Sequence, residues 1–244
     1  MMNNKPANPL MVQDKYKHLF FDLDHTIWDF ETNARFCMLE LYEIKNLRER
    51  GIDDFDLFYT NYSRYNEMLW ERYRNGFIKQ ADLRLKRMSM ALLDFKIADE
   101  NLANEMSVQF LEILPTQNQL FPHTLETLDY LKEKNYTLHL ITNGFEKIQH
   151  EKLRHSGLTA YFTEVITSEA SNSLKPHKEI FEYAFSKTAA SLTESIMIGD
   201  NIEADIMGAI NAGIDQVFVN HTNEVTEIKP TYTIFSLDEL KQIF

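Results

Sequence analysis

The sequence predicts an α/β protein: a parallel sheet covered by helices on both faces, interrupted after its first strand by an all-helical insertion. Three observations predict it. From Phe121 onward, short apolar runs of strand length alternate with helix-period segments. One earlier run, Leu19-Phe20-Phe21, is apolar at consecutive positions, as a strand buried on both faces is, and it ends in two carboxylates, Asp22 and Asp24. Between this run and the alternating region, from Trp28 to Leu114, there is no convincing strand.

Residues 1–14 scatter Asn, Pro, Lys and Gln among apolar residues, lack the continuous apolar core of a signal peptide, and read as a loose tail. The first strand follows within 15–28. The insertion, 29–115, carries helix-period positions: Phe36, Leu39, Leu41, Tyr42 and Ile44, then Phe55, Leu57, Phe58, Tyr62, Tyr65, Met68 and Leu69. Asn75-Gly76 breaks the pattern, a further helix runs through Leu83, Met88, Leu92 and Leu93, and another from Asp99 to Leu114 is ended by Pro115. That makes about four helices. Within 116–244, Pro122 opens a helix to Lys134, and Thr137–Ile141 is a strand. Phe145–His155 is helical, Glu164–Thr167 a strand, His177–Lys187 a helix, and Ile196–Ile198 a strand. Glu203–Asn211 is helical, Gln216–Val219 and Tyr232–Ile234 are strands, and a helix from Leu237 closes the chain. Such alternation builds parallel sheets, so 15–28 must join 116–244 in one domain.

At 244 residues the chain is long enough to bury a full core. Its 25 basic and 37 acidic residues give a net charge of −12, which argues against nonspecific nucleic-acid or anionic-membrane binding. An anionic substrate therefore needs local positive charge. No later apolar run approaches the roughly 18 residues of a membrane-spanning helix. Cys37 is the only cysteine, which excludes an intrachain disulfide or a cysteine-rich zinc site and suits a cytoplasmic location.

Polar groups collect where strands end. Asp22-Leu23-Asp24-His25-Thr26 places two acids one residue apart, where they repel unless a cation or shared proton relieves them; a solvated turn is the plainer alternative. Thr142-Asn143-Gly144 offers a hydroxyl, an amide and a glycine through which backbone N–H groups can approach an anion; alone it is a turn. Lys175-Pro176 sets a lysine before a helix start, and alone it reads as a surface charge. Gly199-Asp200-Asn201 closes a buried strand, with Asp205 in the next helix; capping accounts for one of these aspartates more easily than for both.

Together these stretches resemble the haloacid dehalogenase superfamily. Asp22–Thr26 is similar to its first motif, DxDxT, Thr142 to its second, Lys175 with Pro176 to its third, and Gly199-Asp200 with Asp205 to its fourth, GDxxxxD. The insertion stands where the family carries a helical, C1-type cap over a Rossmann-like core. Phe20–Phe30, Ile141–Phe145 and Asn211-Ala212-Gly213-Ile214 further resemble the YjjG-like branch, the noncanonical pyrimidine 5′-nucleotidases.

The resemblance implies a Mg²⁺-dependent phosphomonoesterase acting on a small phosphorylated substrate such as a nucleoside monophosphate. Asp22 is then the nucleophile and Asp24 the acid and base. Lys175, Thr142 and Asn143 face the phosphate. Asp22, Asp200 and the Asp24 carbonyl hold Mg²⁺ (Mn²⁺ being the alternative), with Asn201 and Asp205 orienting these ligands. Three ionised aspartates against Mg²⁺ and Lys175 balance only if Asp24 starts protonated. Base preference should reside in the insertion, with Trp70, Tyr73, Arg74, Lys79, Arg84 and Arg87 as candidate contacts. The expected assembly is a monomer or homodimer. Sugar-phosphate phosphatase or phosphomutase activity is the alternative within the superfamily, and a receiver-like phospho-aspartate signalling module the alternative outside it.

Overall fold

The computed structural model describes Lys15–Phe244. The predicted tail, 1–14, lies outside the described residues. Among the described residues, those up to Asp29 together with Gln119–Phe244 make one compact unit, and Phe30–Asn118 makes a second.

The first unit is built on six strands, β1 (His18–Phe21), β2 (Thr137–Thr142), β3 (Phe162–Thr167), β4 (Ser195–Gly199), β5 (Asp215–Val219) and β6 (Tyr232–Ile234). All pair in parallel, in the order β3-β2-β1-β4-β5-β6. With β2 and β4 on its two sides and both faces covered, β1 buries Leu19, Phe20 and Phe21 completely, which is why its sequence is an apolar run rather than an alternation. The chain steps outward from β1 through β2 to β3, then crosses back to lay β4, β5 and β6 on the other side. Strand order therefore reverses between β1 and β4. Open α/β sheets bind ligands at the carboxyl ends of the strands at such a point.

The second unit contains α1 (Phe30–Ile44), α2 (Phe55–Arg74), α3 (Gln80–Leu93) and α4 (Glu100–Ile113). Phe30, Ala34, Cys37, Met38 and Leu41 recur at helical spacing along the buried stripe of α1. Asp54 and Asp99 cap α2 and α4 by accepting from Leu57 N at 3.1 Å and Leu102 N at 2.9 Å. Arg87, expected at a substrate, is instead part of this unit's interior: only 2% exposed, it donates to Asn66 Oδ1 at 2.9 Å and lies 4.6 Å from the Phe110 ring centre.

Helices α5 (Thr124–Glu133), α6 (Glu146–His155), α7 (Ser168–Ser171) and α8 (Lys178–Thr188) belong to the first unit, with α9 (Gly208–Ala212) and α10 (Leu240–Ile243) nearer its end. Ile180, Phe181 and Ala184 of α8 and Ala209 of α9 share a core with Phe20, Ile141, Ile166 and Met197 from the sheet. The helix expected over Glu203–Asn211 opens as a π-turn, Ile202–Met207, because Asn201 O accepts from both Asp205 N at 2.9 Å and Ile206 N at 3.2 Å. Among the described residues, no helix is long and apolar enough to cross a membrane.

Candidate active site

Strand register brings the polar ends to one rim. Phe21 pairs with Leu140 of β2 and Ile198 of β4, so Asp22 falls beside Ile141 and Gly199. Thr142 and Asp200 come one residue later on the flanking strands. Asp22 N donates to Ile198 O at 2.9 Å, which extends the β1–β4 ladder to the aspartate itself.

Lys175 reaches this rim from the loop before α8, after which its bond to Pro176 is cis. Its ammonium is 2% exposed and has three partners: Asp22 Oδ1 at 2.6 Å, Ile141 O at 2.7 Å, and Asp205 Oδ1 at 2.6 Å. The last is a contact of charge rather than a well-directed hydrogen bond. Burial alone would lower the lysine's pKa, but Asp205 and Asp22 more than offset it and leave it above the ordinary value.

The carboxylates are crowded. Burial pushes the Asp22 carboxyl upward and Lys175 pulls it back, while Asp205 and Asp200 push it up again. Burial and Asp205 likewise raise Asp200, against a hydrogen bond from Thr26. One oxygen from each of Asp22, Asp200 and Asp205 lies within 4.8 Å of the other two. Three carboxylates facing one ammonium leave negative charge to be met, and their hard oxygens fit a divalent cation such as Mg²⁺.

Asp205 is fully buried. Its Oδ1 meets Lys175 and its Oδ2 accepts from Asn201 N at 3.0 Å. The π-turn sets this side chain against β4, where a Cβ on Gly199 would lie 2.3 Å from Asp205 Oδ2, so residue 199 must be glycine for the carboxylate to fit. Asn201 is the capping residue here: its Oδ1 accepts from Ala204 N at 2.8 Å. Thr26, buried completely, donates its hydroxyl to Asp200 Oδ1 at 2.6 Å. This partner was given no role from the sequence, although its place at the end of DxDxT was a signal.

Thr142 Oγ1 accepts from Gln149 Nε2 at 2.6 Å and Gly144 N at 3.1 Å. With both lone pairs engaged, the hydroxyl is set up as a donor. Asn143, expected to face substrate, spends its side chain on the lysine loop: Nδ2 donates to Lys175 O at 2.9 Å and Oδ1 accepts from Lys175 N at 2.7 Å. It thereby fastens Lys175 to the end of β2. The Gly144 position also has a reason beyond the one expected. A Cβ there would lie 2.0 Å from Gln149 Nε2, so the glycine makes room for Gln149.

Asp24 lies outside the trio of carboxylates and faces α6. Lys152 Nζ sits 2.5 Å from Asp24 Oδ1, and Gln149 Nε2 donates to Asp24 Oδ2 at 2.9 Å. Lys152 thus adds beside Asp24 a positive charge that the count made from the sequence did not include. Neither residue was singled out from the sequence. The available signal was composition: α6 has only Ile148 and Leu153 as aliphatic residues, so its inward side, which buries Gln149, Lys152 and Leu153, had to include polar groups.

A rim of this kind, with an aspartate after the first strand, a buried lysine and a second acidic cluster at the strand-order reversal, is the site of one class of hydrolases. The haloacid dehalogenase-like hydrolase family model matches residues 16–213, and the chain belongs to that family. It is a phosphatase whose relatives point to a small phosphorylated substrate. It is 33% identical to the pyrimidine 5′-nucleotidase PynA of Streptococcus pneumoniae over 92% of this chain and 93% of that one. It is 30% identical to the pyrimidine 5′-nucleotidase YjjG of Escherichia coli over 94% and 98%. Among solved structures, the magnesium-bound HAD-hydrolase YfnB of Bacillus subtilis superposes with a TM-score of 0.85 at 29% identity, covering 94% of this chain and 98% of that one.

Proposed function

We propose that this phosphatase hydrolyses nucleoside 5′-monophosphates, pyrimidine ones foremost, through an aspartyl-phosphate on Asp22. The observation that carries the chemistry is the buried Asp22–Lys175 pair at the β1/β4 switch point; PynA and YjjG support the choice of substrate. Lys175 fixes the orientation of the Asp22 carboxylate for in-line attack on phosphorus. The Thr142 hydroxyl, its lone pairs taken, donates to a phosphoryl oxygen as charge spreads over it. Asp24 gives a proton to the departing ribose oxygen and later takes one from the water that cleaves the aspartyl-phosphate. Asp22, Asp200 and the Asp24 backbone carbonyl would hold Mg²⁺, or Mn²⁺ in its place, which when bound neutralises the carboxylates and polarises the phosphate. Asp205, engaged on both oxygens, orients Lys175. The helical unit is the cap that selects the nucleoside.

Asp22→Asn tests the chemistry: phosphate release and acid-stable trapping of a phosphorylated protein should both vanish, and normal turnover would remove Asp22 as nucleophile. A phosphate-release screen with Mg²⁺ tests the substrate. Pyrimidine nucleoside monophosphates should lead sugar phosphates, without any bisphosphate activator. Equal rates across the panel would leave only a general phosphatase.

A further inference from the structure

We propose that Lys152 and Gln149 are positioning residues that hold the Asp24 carboxylate in place for proton transfer and tie it to the phosphate-binding hydroxyl of Thr142. This rests on the reading of Asp24 as the acid and base.

Asp24 stands on a loop just past β1, with its side chain 22% exposed. A carboxylate so placed has several rotamers open to it, whereas a proton-transfer group must stay within hydrogen-bond reach of the reacting oxygen. Here α6 removes that freedom. Its residues 149 and 152, three apart and so on one face, take one carboxylate oxygen each. Gln149 goes further, since the same amide nitrogen that donates to Asp24 Oδ2 at 2.9 Å donates to Thr142 Oγ1 at 2.6 Å. One side chain thus sets the spacing between the proton-transfer group and the phosphate donor.

Lys152 is itself immobilised. Its side chain is 3% exposed, and its ammonium lies 4.2 Å from the centre of the Trp28 ring. That ring is pinned in turn, Trp28 Nε1 donating at 3.1 Å to the Oγ of Ser156, the residue that caps the C-terminal end of α6. Holding a helix against a sheet does not require this. A leucine at 152 would bury as much apolar surface without desolvating a charge, and a buried ion pair is poor evidence of a stabilising purpose. The glycine at 144 points the same way: any side chain there would close the space Gln149 occupies.

The test separates positioning from general damage by leaving-group chemistry. p-Nitrophenyl phosphate expels a leaving group that needs no proton, whereas thymidine 5′-monophosphate expels an alkoxide that does. In Lys152→Met, mixed rapidly with p-nitrophenyl phosphate, the initial burst of nitrophenolate should stay within about threefold of the parent. Steady-state turnover of thymidine 5′-monophosphate should fall about 10- to 100-fold, the loss expected when a general acid is misplaced. Lys152→Arg should recover most of that loss. Gln149→Leu leaves the ion pair intact but also releases Thr142, so its burst should fall as well, though by less than its thymidine 5′-monophosphate turnover. Burst and turnover slowing in equal proportion, or both remaining unchanged, would overturn the proposal. Asp24→Asn distinguishes the two levels. If it shows a preserved burst with slow turnover while Lys152→Met and Gln149→Leu behave as the parent, only the positioning role is lost; if Asp24→Asn itself turns over normally, the reading of Asp24 falls and takes the proposal with it.

Discussion

Replacing Thr26 by valine removes one hydroxyl and almost no volume. That hydroxyl is the 2.6 Å donor to Asp200 Oδ1 in a place without solvent, so no water can substitute for it. A hydrogen bond to a charged acceptor contributes about 1.5–3 kcal/mol. Its loss falls on a carboxylate proposed to hold the divalent ion, where removal of an orienting partner weakens metal affinity by about 10- to 100-fold. Backbone rearrangement should not blur the result, because Thr26 O is held by His221 Nε2 at 3.1 Å. Mg²⁺ binding measured by calorimetry, alongside the Mg²⁺ concentration that gives half-maximal phosphate release, should both shift by that factor. Thr26→Ser, which keeps the donor, should restore them. A valine variant whose Mg²⁺ requirement stays within about twofold of the parent would refute the orienting role of this hydrogen bond.

His139 predicts an acid-sensitive stability. It is 1% exposed, stacks on Phe20 with centroids 4.8 Å apart, and meets His18 across 3.1 Å. Burial first, and the neighbouring His18 second, lower its pKa from 6.5 to about 4. Between these values the unfolded chain takes up a proton that the folded chain refuses, so stability is full above about pH 6.5 and declines toward pH 4, by at most about 3 kcal/mol. Denaturant midpoints measured across that window should show the decline, and His139→Phe should flatten it. Asn143→Leu removes both hydrogen bonds to the Lys175 backbone and should cost about 1–3 kcal/mol in urea unfolding, with a larger proportional loss of kcat than of KM. Gly144→Ala should lower turnover by displacing Gln149 while leaving the melting temperature nearly unchanged.

The strands and most helices were legible because their patterns are local. An apolar run ending in Asp22 declares itself within a few residues. The first helix of the insertion was legible as a helix but not by its inward face: of the positions read for it, Leu41 and Tyr42 are buried, and Phe36, Leu39 and Ile44 are exposed. The aspartates proposed for catalysis were legible for a related reason: they sit at strand ends, and parallel register then aligns those ends without further instruction. What stayed hidden depends on pairs distant in the chain. Asn143 meets the Lys175 backbone across 32 residues, and Lys152 meets Asp24 across 128. Neither spacing has a sequence signature. The need for glycine at 144 and 199 was hidden in the same way, since it is dictated by Gln149 and Asp205 arriving from elsewhere.

The insertion leaves the first unit after Asp29 and returns at Gln119, and these two residues are hydrogen-bonded, Asp29 N to Gln119 O at 3.1 Å, beside a Trp28–Leu120 bridge. This stem bears on how the chain first assembles. Were Phe30–Asn118 slack, bringing β1 to β2 would mean closing a loop of about ninety residues, at an entropic cost near 4 kcal/mol. A helical segment that folds early, joining its own ends, removes most of that search and presents β1 to its partner nearly adjacent. Refolding should therefore slow in variants that loosen α1–α4, even where every strand residue is untouched.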